Sequence, residues 1–457
     1  MRQLTREAWS SETIAREYLR FFTERDHLEL PGSPLLVPGT TTSFVIAGMQ
    51  PLMPFLRGQA APPSQRLTAI QQCLRTVDIE RVGGNARTLT SFFMLGNWSI
   101  GDYGRPEAIA LALELLDHFG LDRSALWVTV FGGDADRGLG PDEAAAEEWR
   151  RAGLVSERIV PLGYDDNFWT TGGPGPGGPC TEMYVDRGAE MGCGRPECRP
   201  GCDCPRFLEV WNLVFVEFEQ QPDGTYEHLP LRSVDTGMGL ERFAAVAQGV
   251  ETVCDVDLFQ PALQRLNELA PLRGGMDEGE RARADRARRI IMDHSRAALL
   301  ASLAGVEPAP NGPGSVLRRL IRRAARQGAI LGLRGLFLGE LVPPLIEAHG
   351  SLLAADGGDL TARGRAVAEM LAREERGFSR VLSTGLRLLE REQPDERGVV
   401  PGERLFRLHA ERGFPPDLAA EVLAERGLTV DWTGYEREVE RHRTISRVSA
   451  ERKFGGS

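Results

Sequence analysis

The segment Val234–Arg242 limits most strongly what this chain can fold into, because it combines an acidic strand end, a glycine-permitted turn and an arginine on a helix. Gly237 and Gly239 let the backbone turn where a Cβ atom would clash, and the apolar run that follows is typical of the buried side of a helix. Asp235 is then placed to hold an ammonium group while Arg242 faces phosphate. A strand–turn–helix corner whose arginine caps a surface would contain the same residue types, so other segments must decide between the two interpretations.

Length and composition fit a soluble globular protein of more than one domain, large enough for an enzyme with a pocket. The 457 residues are 42% hydrophobic and 26% charged, which is ordinary for a globular protein, and a chain of this length predicts two or three domains. No apolar stretch approaches the ~20 residues that span a membrane, and the polar start Met1–Arg6 does not resemble a secretory signal. We therefore expect a cytoplasmic protein without a membrane partner.

The charge distribution excludes general nucleic-acid binding but leaves room for a local contact. The net charge is −11, which opposes binding to phosphate by the molecule as a whole. Residues 281–330 are the exception, because this segment contains eleven arginines and three acidic residues, which give it a local net charge of +8. Any contact with nucleic acid is expected in that segment.

The first part of the chain predicts an α+β domain. Residues 11–22 repeat apolar side chains at helical spacing behind serine caps. From residue 35 to 259, short β-rich runs alternate with Gly/Pro turns and a single helical stretch at 108–119. The β-rich runs are Ser43–Ile46, Trp127–Phe131 and Phe207–Phe218. This mixture favours an antiparallel sheet flanked by helices.

Helical patterns dominate beyond Asp257 and predict a second domain. They cover Ala282–Leu303, Ser315–Leu331, Arg363–Arg391, Leu418–Arg426 and Tyr435–Arg447. The stretch Pro271–Glu280 is typical of a linker. The predicted division is residues 1–265 and residues 266–457, the latter all-helical.

A charged hairpin precedes the opening segment. Two apolar strands, in Gln71–Gly84 and Ser91–Tyr103, flank a charged loop. An arginine on the first strand can bind an α-phosphate, and an aromatic ring on the second can stack on a base. Asp166–Trp169 with Pro179–Glu182 predicts the wall of a small pocket, and Glu209–Phe215 predicts a strand that bears Asn212 among apolar neighbours.

Together these residues resemble the alanyl-tRNA synthetase family of class II aminoacyl-tRNA synthetases, from about Glu12 to Phe454. The segments similar to the family's motifs 1, 2 and 3 are Thr42–Met49, Cys73–Tyr103 and Val234–Arg242; the helical part matches in Asp293–His294, Val316–Arg323 and Gly413–Pro415. The resemblance implies the class II antiparallel sheet flanked by helices, followed by an all-helical domain that binds the tRNA acceptor stem. It also implies an AMP-forming ligase that uses ATP and Mg²⁺.

The resemblance also implies a role for each matching residue. Arg75 would bind the α-phosphate, Phe92 would stack on adenine beside Met94, Arg242 would serve the γ-phosphate, and Arg87 would contact the nucleotide. Asp235 would take the ammonium of alanine, and Met49, Trp169, Asn212 and Val214 would shape a pocket for a methyl group. RNA would contact Arg318, Arg319, Arg322 and Arg323. Simple packing would equally explain Phe92 and Trp169, and Asn212 would equally serve to satisfy buried backbone.

A cysteine cluster lies just before the Asn212 strand. Cys193, Cys198, Cys202 and Cys204 follow one another on a Gly/Pro-rich loop, and four thiolates can close a tetrahedral Zn²⁺ site with no open position. The spacing is not that of a common zinc finger, so free or redox-labile thiols are an alternative. The other cysteines, Cys73, Cys180 and Cys254, are expected in cores.

Departures from the family pattern leave three hypotheses for function. Pro310 and Ala410 stand where relatives use an asparagine and an aspartate to recognise the acceptor-stem G·U pair, although Asn311 and Glu411 lie one residue along. The leading hypothesis is activation of alanine and its transfer to the 3′ end of tRNA. The second is a tRNA-independent enzyme that passes alanine to a small molecule or carrier protein; the third is a non-catalytic regulatory paralogue. The chain ends where relatives continue into an editing domain, as a shortened chain or a free-standing paralogue would.

Overall fold

The computed structural model describes residues 9–36, 44–353 and 358–454, with side chains described up to residue 444. Its strands are β1 Leu28–Glu29, β2 Arg66–Leu74, β3 Ser91–Ile100, β4 Leu126–Phe131, β5 Ile159–Leu162, β6 Phe168–Trp169, β7 Gly175–Asp186, β8 Phe207–Gln220, β9 Tyr226–Gly239, β10 Val399–Val400 and β11 Thr429–Val430. Within the described ranges, β1 to β9 form one nine-stranded sheet in the order β1-β2-β3-β9-β8-β7-β4-β5, with β6 paired to β7. Its centre is antiparallel, while the outer pairs β1–β2 and β4–β5 are parallel.

The helices cover the sheet first and then form a region of their own. They are α1 Ser11–Thr23, α2 Met53–Leu56, α3 Arg105–His118, α4 Glu143–Arg151, α5 Tyr164–Asn167, α6 Leu240–Ala247, α7 Gln260–Leu269, α8 Glu278–Leu303, α9 Gly312–Ile330, α10 Val342–Leu353, α11 Leu360–Glu390, α12 Gly402–Arg412, α13 Pro416–Ala424 and α14 Trp432–Phe454. The α+β fold predicted from the sequence, a sheet flanked by helices and followed by a helical region, is confirmed. One short parallel pair, β10 with β11, lies within the helical region.

Local sequence signals explain where the main helices begin. Ser10 caps α1, because its hydroxyl accepts from the Thr13 N–H, and the apolar face of α1 then packs on the sheet. Asp277 and Glu280 form a reciprocal capping box that starts α8. Pro313 lies in the first turn of α9, where its missing N–H costs no helical hydrogen bond.

One of the predicted strands is wrong. Thr42 and Ser43 lie outside the described residues, and Phe44–Ile46 has no strand geometry. The backbone there makes only one hydrogen bond to each neighbouring segment, from the Val45 N–H to the Leu35 carbonyl and from the Leu74 N–H to the Val45 carbonyl. The Ile46 N–H bonds instead to the Gln50 side chain, which ends any ladder. The β-rich composition reflects burial here and not pairing.

The two predicted domains share a core. Most of the residues predicted as a linker, 271–277, lie outside helices, and residue 265 lies within α7. A single buried apolar cluster runs from α1 through the sheet to α8, α9 and α11. The division at residue 265 therefore remains a prediction about chain organisation, while the packing joins both parts. Every helix in the described part of the chain is too short or too polar to cross a membrane.

Gly178 allows β7 to approach β8 closely. It pairs with Trp169, and a Cβ atom at this position would overlap the carbonyl oxygen of Phe215. We predict that Gly178→Ala lowers the free energy of unfolding by about 2 kcal/mol, because the backbone must shift to relieve the overlap. Urea denaturation followed by circular dichroism measures the change. Gly173→Ala, with nothing within 4 Å of its new methyl group, is the matched control, and an equal loss in both variants would contradict the prediction.

Candidate active site

Two paired glycines form the floor at the centre of the sheet. Side chains alternate along β3, so Met94, Gly96 and Trp98 share one face. Gly96 pairs with Gly237 on β9, and a Cβ atom at Gly237 would come within 2.8 Å of the Met94 sulfur. A Cβ atom at Gly96 would come within 2.3 Å of the Trp98 ring. The two glycines therefore make room for the side chains of Trp98 and Met94, which lie across this part of the sheet.

Asp235 borders this floor as a buried carboxylate. It pairs with Trp98 across the β3–β9 ladder, is 7% exposed, and accepts a 2.6 Å hydrogen bond from the indole nitrogen of Trp98. Burial raises the pKa of Asp235 to about 7, and the Trp98 hydrogen bond limits the rise. A cation beside Asp235 would favour its charged form. The site is thus suited to an ammonium group.

The neighbouring strand adds a second acceptor. On β8, Asn212 pairs with Gly237 and Val214 pairs with Asp235, so both positions adjoin the floor. Among the described residues, the side-chain oxygen of Asn212 is buried without a hydrogen-bond partner, while its nitrogen donates to Glu182 over 3.4 Å. A buried carbonyl oxygen without a donor costs free energy. Asn212 and Asp235 can therefore accept together from one ligand ammonium.

Apolar side chains enclose the space beside these acceptors. Met49 is 1% exposed and belongs to the same buried cluster as Trp98. Trp169 is half-buried and packs against both this cluster and the one that contains Val214. The structure thus brings the predicted alanine-site residues Met49, Trp169, Asn212, Val214 and Asp235 around one small region.

The arginine of the opening segment faces the other end of the cleft. Arg242 lies in the first turn of α6 and donates to the Glu209 carboxylate over 2.7 Å and to the Arg87 carbonyl oxygen over 3.3 Å. The Arg87 guanidinium donates to Asp203 over 3.2 Å. These groups assemble a partly exposed cationic end at which phosphate can replace carboxylate as the partner.

The hairpin confirms the predicted strand pairing and brings a cation onto an aromatic ring. β2 and β3 are antiparallel, and Arg75 follows the last residue of β2. Its guanidinium carbon lies 4.9 Å from the centroid of the Phe92 ring, and its Nε donates to the Ile46 carbonyl. Phe92 is half-buried, with the ring at the margin of the core. Met94 is held nearby, because its sulfur accepts from the Gly48 N–H.

The sequence interpretation assigned no role to two carboxylates of the site. Glu209 lies beside Arg242, and Glu182 pairs with Asn212 across the β7–β8 ladder. Burial and the nearby Glu209 charge raise the pKa of Glu182 to about 8; burial also acts on Glu209, but Arg242 outweighs it and lowers the pKa of Glu209. In a regular strand, side chains alternate between the two faces, which would put Glu209 on the opposite face from Asn212. A β-bulge brings both side chains to the same face, because Glu209 pairs with Tyr184 while Trp211 pairs with the adjacent Met183.

Comparisons with known proteins identify the family of this chain. A profile of the family described as tRNA synthetases class II (A) matches residues 13–455. The chain belongs to this family. It is 40% identical over 443 residues to the alanine–tRNA ligase of Thermoanaerobacter sp. (strain X514) and 42% identical over 453 residues to that of Dehalococcoides mccartyi (strain ATCC BAA-2266).

The aligned region is a larger share of this chain than of the relatives. It includes 95% and 98% of this chain but 49% and 50% of the two ligases, so the chain spans about half the length of the curated relatives it matches. Among solved structures, apo histidyl-tRNA synthetase of S. aureus aligns with 56% of this chain and 77% of that chain, at 12% identity and a TM-score of 0.33. That overlap is too weak for a comparison of sites.

The four clustered cysteines lie together on the loop between β7 and β8. Their sulfur atoms are all within 4.8 Å of one another, with Cys198 and Cys204 3.4 Å apart and Cys193 and Cys202 3.7 Å apart. Tetrahedral zinc with sulfur ligands at about 2.3 Å requires sulfur–sulfur distances of about 3.8 Å. The donor set and spacing fit Zn²⁺. Arg195 donates to two of these sulfurs and lowers the pKa of Cys193 to about 6.

We predict that the purified protein binds about one Zn²⁺ per chain and that Cys198→Ser reduces this to near zero, because three thiolates leave the tetrahedron open. Elemental analysis by mass spectrometry after gel filtration measures the stoichiometry. Cys254→Ser is the control, since Cys254 is a buried thiol outside the cluster. A folded wild-type protein without zinc would leave the alternative of free thiols.

The arginines predicted to bind RNA contact acidic and aromatic side chains within the protein. Along α9, Arg319 donates to Asp417 over 3.1 Å and Arg323 pairs with Glu421. Arg326, which was not among the predicted contacts, donates to Glu425 over 2.6 Å. Asp417 and Glu421 lie on α13, and Glu425 follows its last residue. Of the other predicted contacts, Arg318 lies 3.5 Å from Glu374, and the Arg322 guanidinium lies over the Phe378 ring. The local balance of +8 is thus partly neutralised by acids that lie about a hundred positions later in the chain.

Proposed function

We propose that this chain is the activating and acceptor-binding part of an alanyl-tRNA synthetase. It forms alanyl-adenylate from alanine and ATP and transfers the alanyl group to the 3′ end of tRNA. The observation that carries the proposal is that Asp235 and Asn212, whose side-chain oxygen has no hydrogen-bond partner among the described residues, both adjoin the glycine floor, in a chain whose relatives are named alanine–tRNA ligases. Those names give no support to a small-molecule or carrier-protein acceptor.

In the first step, a carboxylate oxygen of alanine attacks the α-phosphorus of ATP. A carboxylate–phosphorus bond forms, and the bond to the bridging oxygen breaks to release pyrophosphate. Asp235 and Asn212 hold the ammonium, Arg75 neutralises the α-phosphate, and Arg242 binds the γ-phosphate. The protein then contributes mainly positioning and electrostatic stabilisation. In the second step, a ribose hydroxyl of the tRNA attacks the alanyl carbonyl and AMP leaves.

Side-chain selection depends on the apolar walls. Val214 lies opposite Asp235, so the α-carbon substituent of a bound amino acid meets Val214, Met49 and Trp169. Such a pocket excludes larger groups by steric overlap. It discriminates less well against serine and glycine, because one hydroxyl or methyl group changes the binding free energy by only about 1–3 kcal/mol.

The carboxylates Glu182 and Glu209 fit a divalent cation. Members of the family use ATP with Mg²⁺, and oxygen ligands from one or two carboxylates are what Mg²⁺ takes beside substrate phosphates. Glu209 is partly exposed beside Arg242, at the end of the cleft where phosphate is proposed to lie. When bound there, Mg²⁺ would supply charge neutralisation for the phosphates. Glu209 would then release Arg242 to the γ-phosphate.

The helical region is proposed to bind the acceptor stem. Within the predicted domain of residues 266–457, Arg318, Arg319, Arg322 and Arg323 are the predicted RNA contacts; Pro310 and Ala410 are exposed. Asn311 and Glu411 are exposed as well and carry the groups able to hydrogen-bond a base edge.

Alanine-dependent exchange of pyrophosphate into ATP, together with charging of a tRNA that carries the G·U acceptor pair, tests the proposal. We expect both activities in the wild type. Asp235→Asn, which keeps the shape and removes the charge, is expected to raise the KM for alanine about a hundredfold because a charged hydrogen bond is lost. Exchange without charging would favour the tRNA-independent enzyme, and absence of both would favour the non-catalytic paralogue.

The pKa of Asp235 predicts how alanine use depends on pH. Because only the ionised carboxylate pairs with the ammonium, kcat/KM for alanine should fall about tenfold per unit of pH below the Asp235 pKa of about 7. Trp98→Phe removes the hydrogen bond that lowers this pKa, so the falling limb should move to higher pH. A pH profile of pyrophosphate exchange measures both. If the pH at which kcat/KM falls is the same in Trp98→Phe as in the wild type, a group other than Asp235 controls the fall.

A further inference from the structure

A buried ion pair lies behind the proposed nucleotide site. The Arg296 guanidinium on α8 donates to the Glu241 carboxylate on α6 over 2.6 Å, and the two residues are 0% and 1% exposed. Arg296 also donates to the carbonyl oxygen of Ser91. The Glu241 carboxylate in turn accepts from the backbone N–H of Phe93 over 3.2 Å. The pair therefore contacts the residue before Phe92 and the residue after it.

The same helix makes a third contact with this strand. Asp293 on α8 is fully buried, and its carboxylate accepts from the Thr90 N–H over 2.7 Å. Three backbone groups at positions 90, 91 and 93 are thereby bonded to side chains that come from outside the sheet. Phe92 is the residue in their midst. Its ring, which carries the Arg75 guanidinium, is positioned by groups of the helical region.

The ion pair also acts on the phosphate end. Glu241 and Arg242 are consecutive in the first turn of α6, and consecutive side chains on a helix point about 100° apart. Glu241 faces the interior, whereas Arg242 faces the cleft, with 27% of its side chain exposed. Fixing Glu241 fixes the rotation of this turn. One interaction thus sets both the aromatic ring and the phosphate arginine.

A buried ion pair is a poor source of stability, because removal of two charges from water offsets their attraction. Its directional bonds are a better reason for its presence. We propose that Arg296 and Glu241 are positioning residues for ATP, through which the helical region sets the placement of Phe92 and Arg242. The inference rests on the proposed function, since it takes the cleft beside Phe92 and Arg242 as the ATP site.

Arg296→Lys and Glu241→Gln test the inference by the separate KM values for ATP and alanine in pyrophosphate exchange. Lysine replaces the two guanidinium nitrogens that bond Glu241 and the Ser91 carbonyl by one nitrogen on a side chain without the planar fork, and glutamine keeps an acceptor for Phe93 but loses the charge. We expect the KM for ATP to rise about tenfold in each variant. The KM for alanine should change less than about twofold, because its ligands lie on β8 and β9. Calorimetric titration of ATP alone should show the same loss of affinity.

Arg288→Lys is the matched control. Arg288 lies on the same helix, is also buried, and donates to Asn267 and to the Ala270 carbonyl, away from the hairpin. It should lower thermal stability as the test variants do and leave the KM for ATP unchanged. An unchanged KM for ATP in the folded test variants, an equal rise in both KM values, or an equal effect of Arg288→Lys would overturn the inference.

The double variant and the wild type complete the test. Because each residue acts through the other, Arg296→Lys with Glu241→Gln should raise the KM for ATP by less than the product of the single effects. Multiplicative effects would contradict a shared role, and unfolding of both single variants would show that the pair is only structural. A wild type that binds ATP but shows no exchange would overturn the proposed function while calorimetry still tests the positioning.

Discussion

The site depends on the register of three antiparallel strands. Gly237 on β9 pairs with Gly96 on one side and with Asn212 on the other, at the point where a ligand is proposed to lie. A shift of one residue would turn Asp235 to the opposite face and put a larger side chain on the floor. The cleft is therefore set by backbone pairing before any side chain contributes chemistry.

Charge is distributed around this floor according to what the fold buries. Asp235 is buried without a cation, so its pKa is raised to about 7, whereas Glu209 is paired with Arg242 and its pKa is lowered. Two carboxylates on one sheet thus differ in protonation because of their surroundings. Behind the sheet, Arg296 and Glu241 pair with each other and bond the backbone of β3. The helical region and the sheet share one core, so the proposed recognition of ATP extends beyond the strands that carry it.

Sequence patterns predicted the parts of this structure that depend on local periodicity and motif order. The helices α8, α9 and α11, the β2–β3 hairpin and the strand that bears Asn212 were all visible in this way. The position of Glu209 in the site was not predicted, because it depends on a β-bulge that the alternating sequence pattern does not show. Nor could a count of charges show that Arg323 is 3% exposed and paired with Glu421, since the two residues are distant in sequence.

The central claim is that one cleft holds the amino acid at Asp235 and the nucleotide between Phe92 and Arg242. A crystal structure of the protein with a non-hydrolysable sulfamoyl analogue of alanyl-adenylate measures this most directly. The account predicts the ammonium within hydrogen-bonding distance of Asp235 and Asn212, the methyl group against Val214, and the adenine on the Phe92 ring. An analogue bound elsewhere, or bound with its ammonium away from Asp235, would contradict the account.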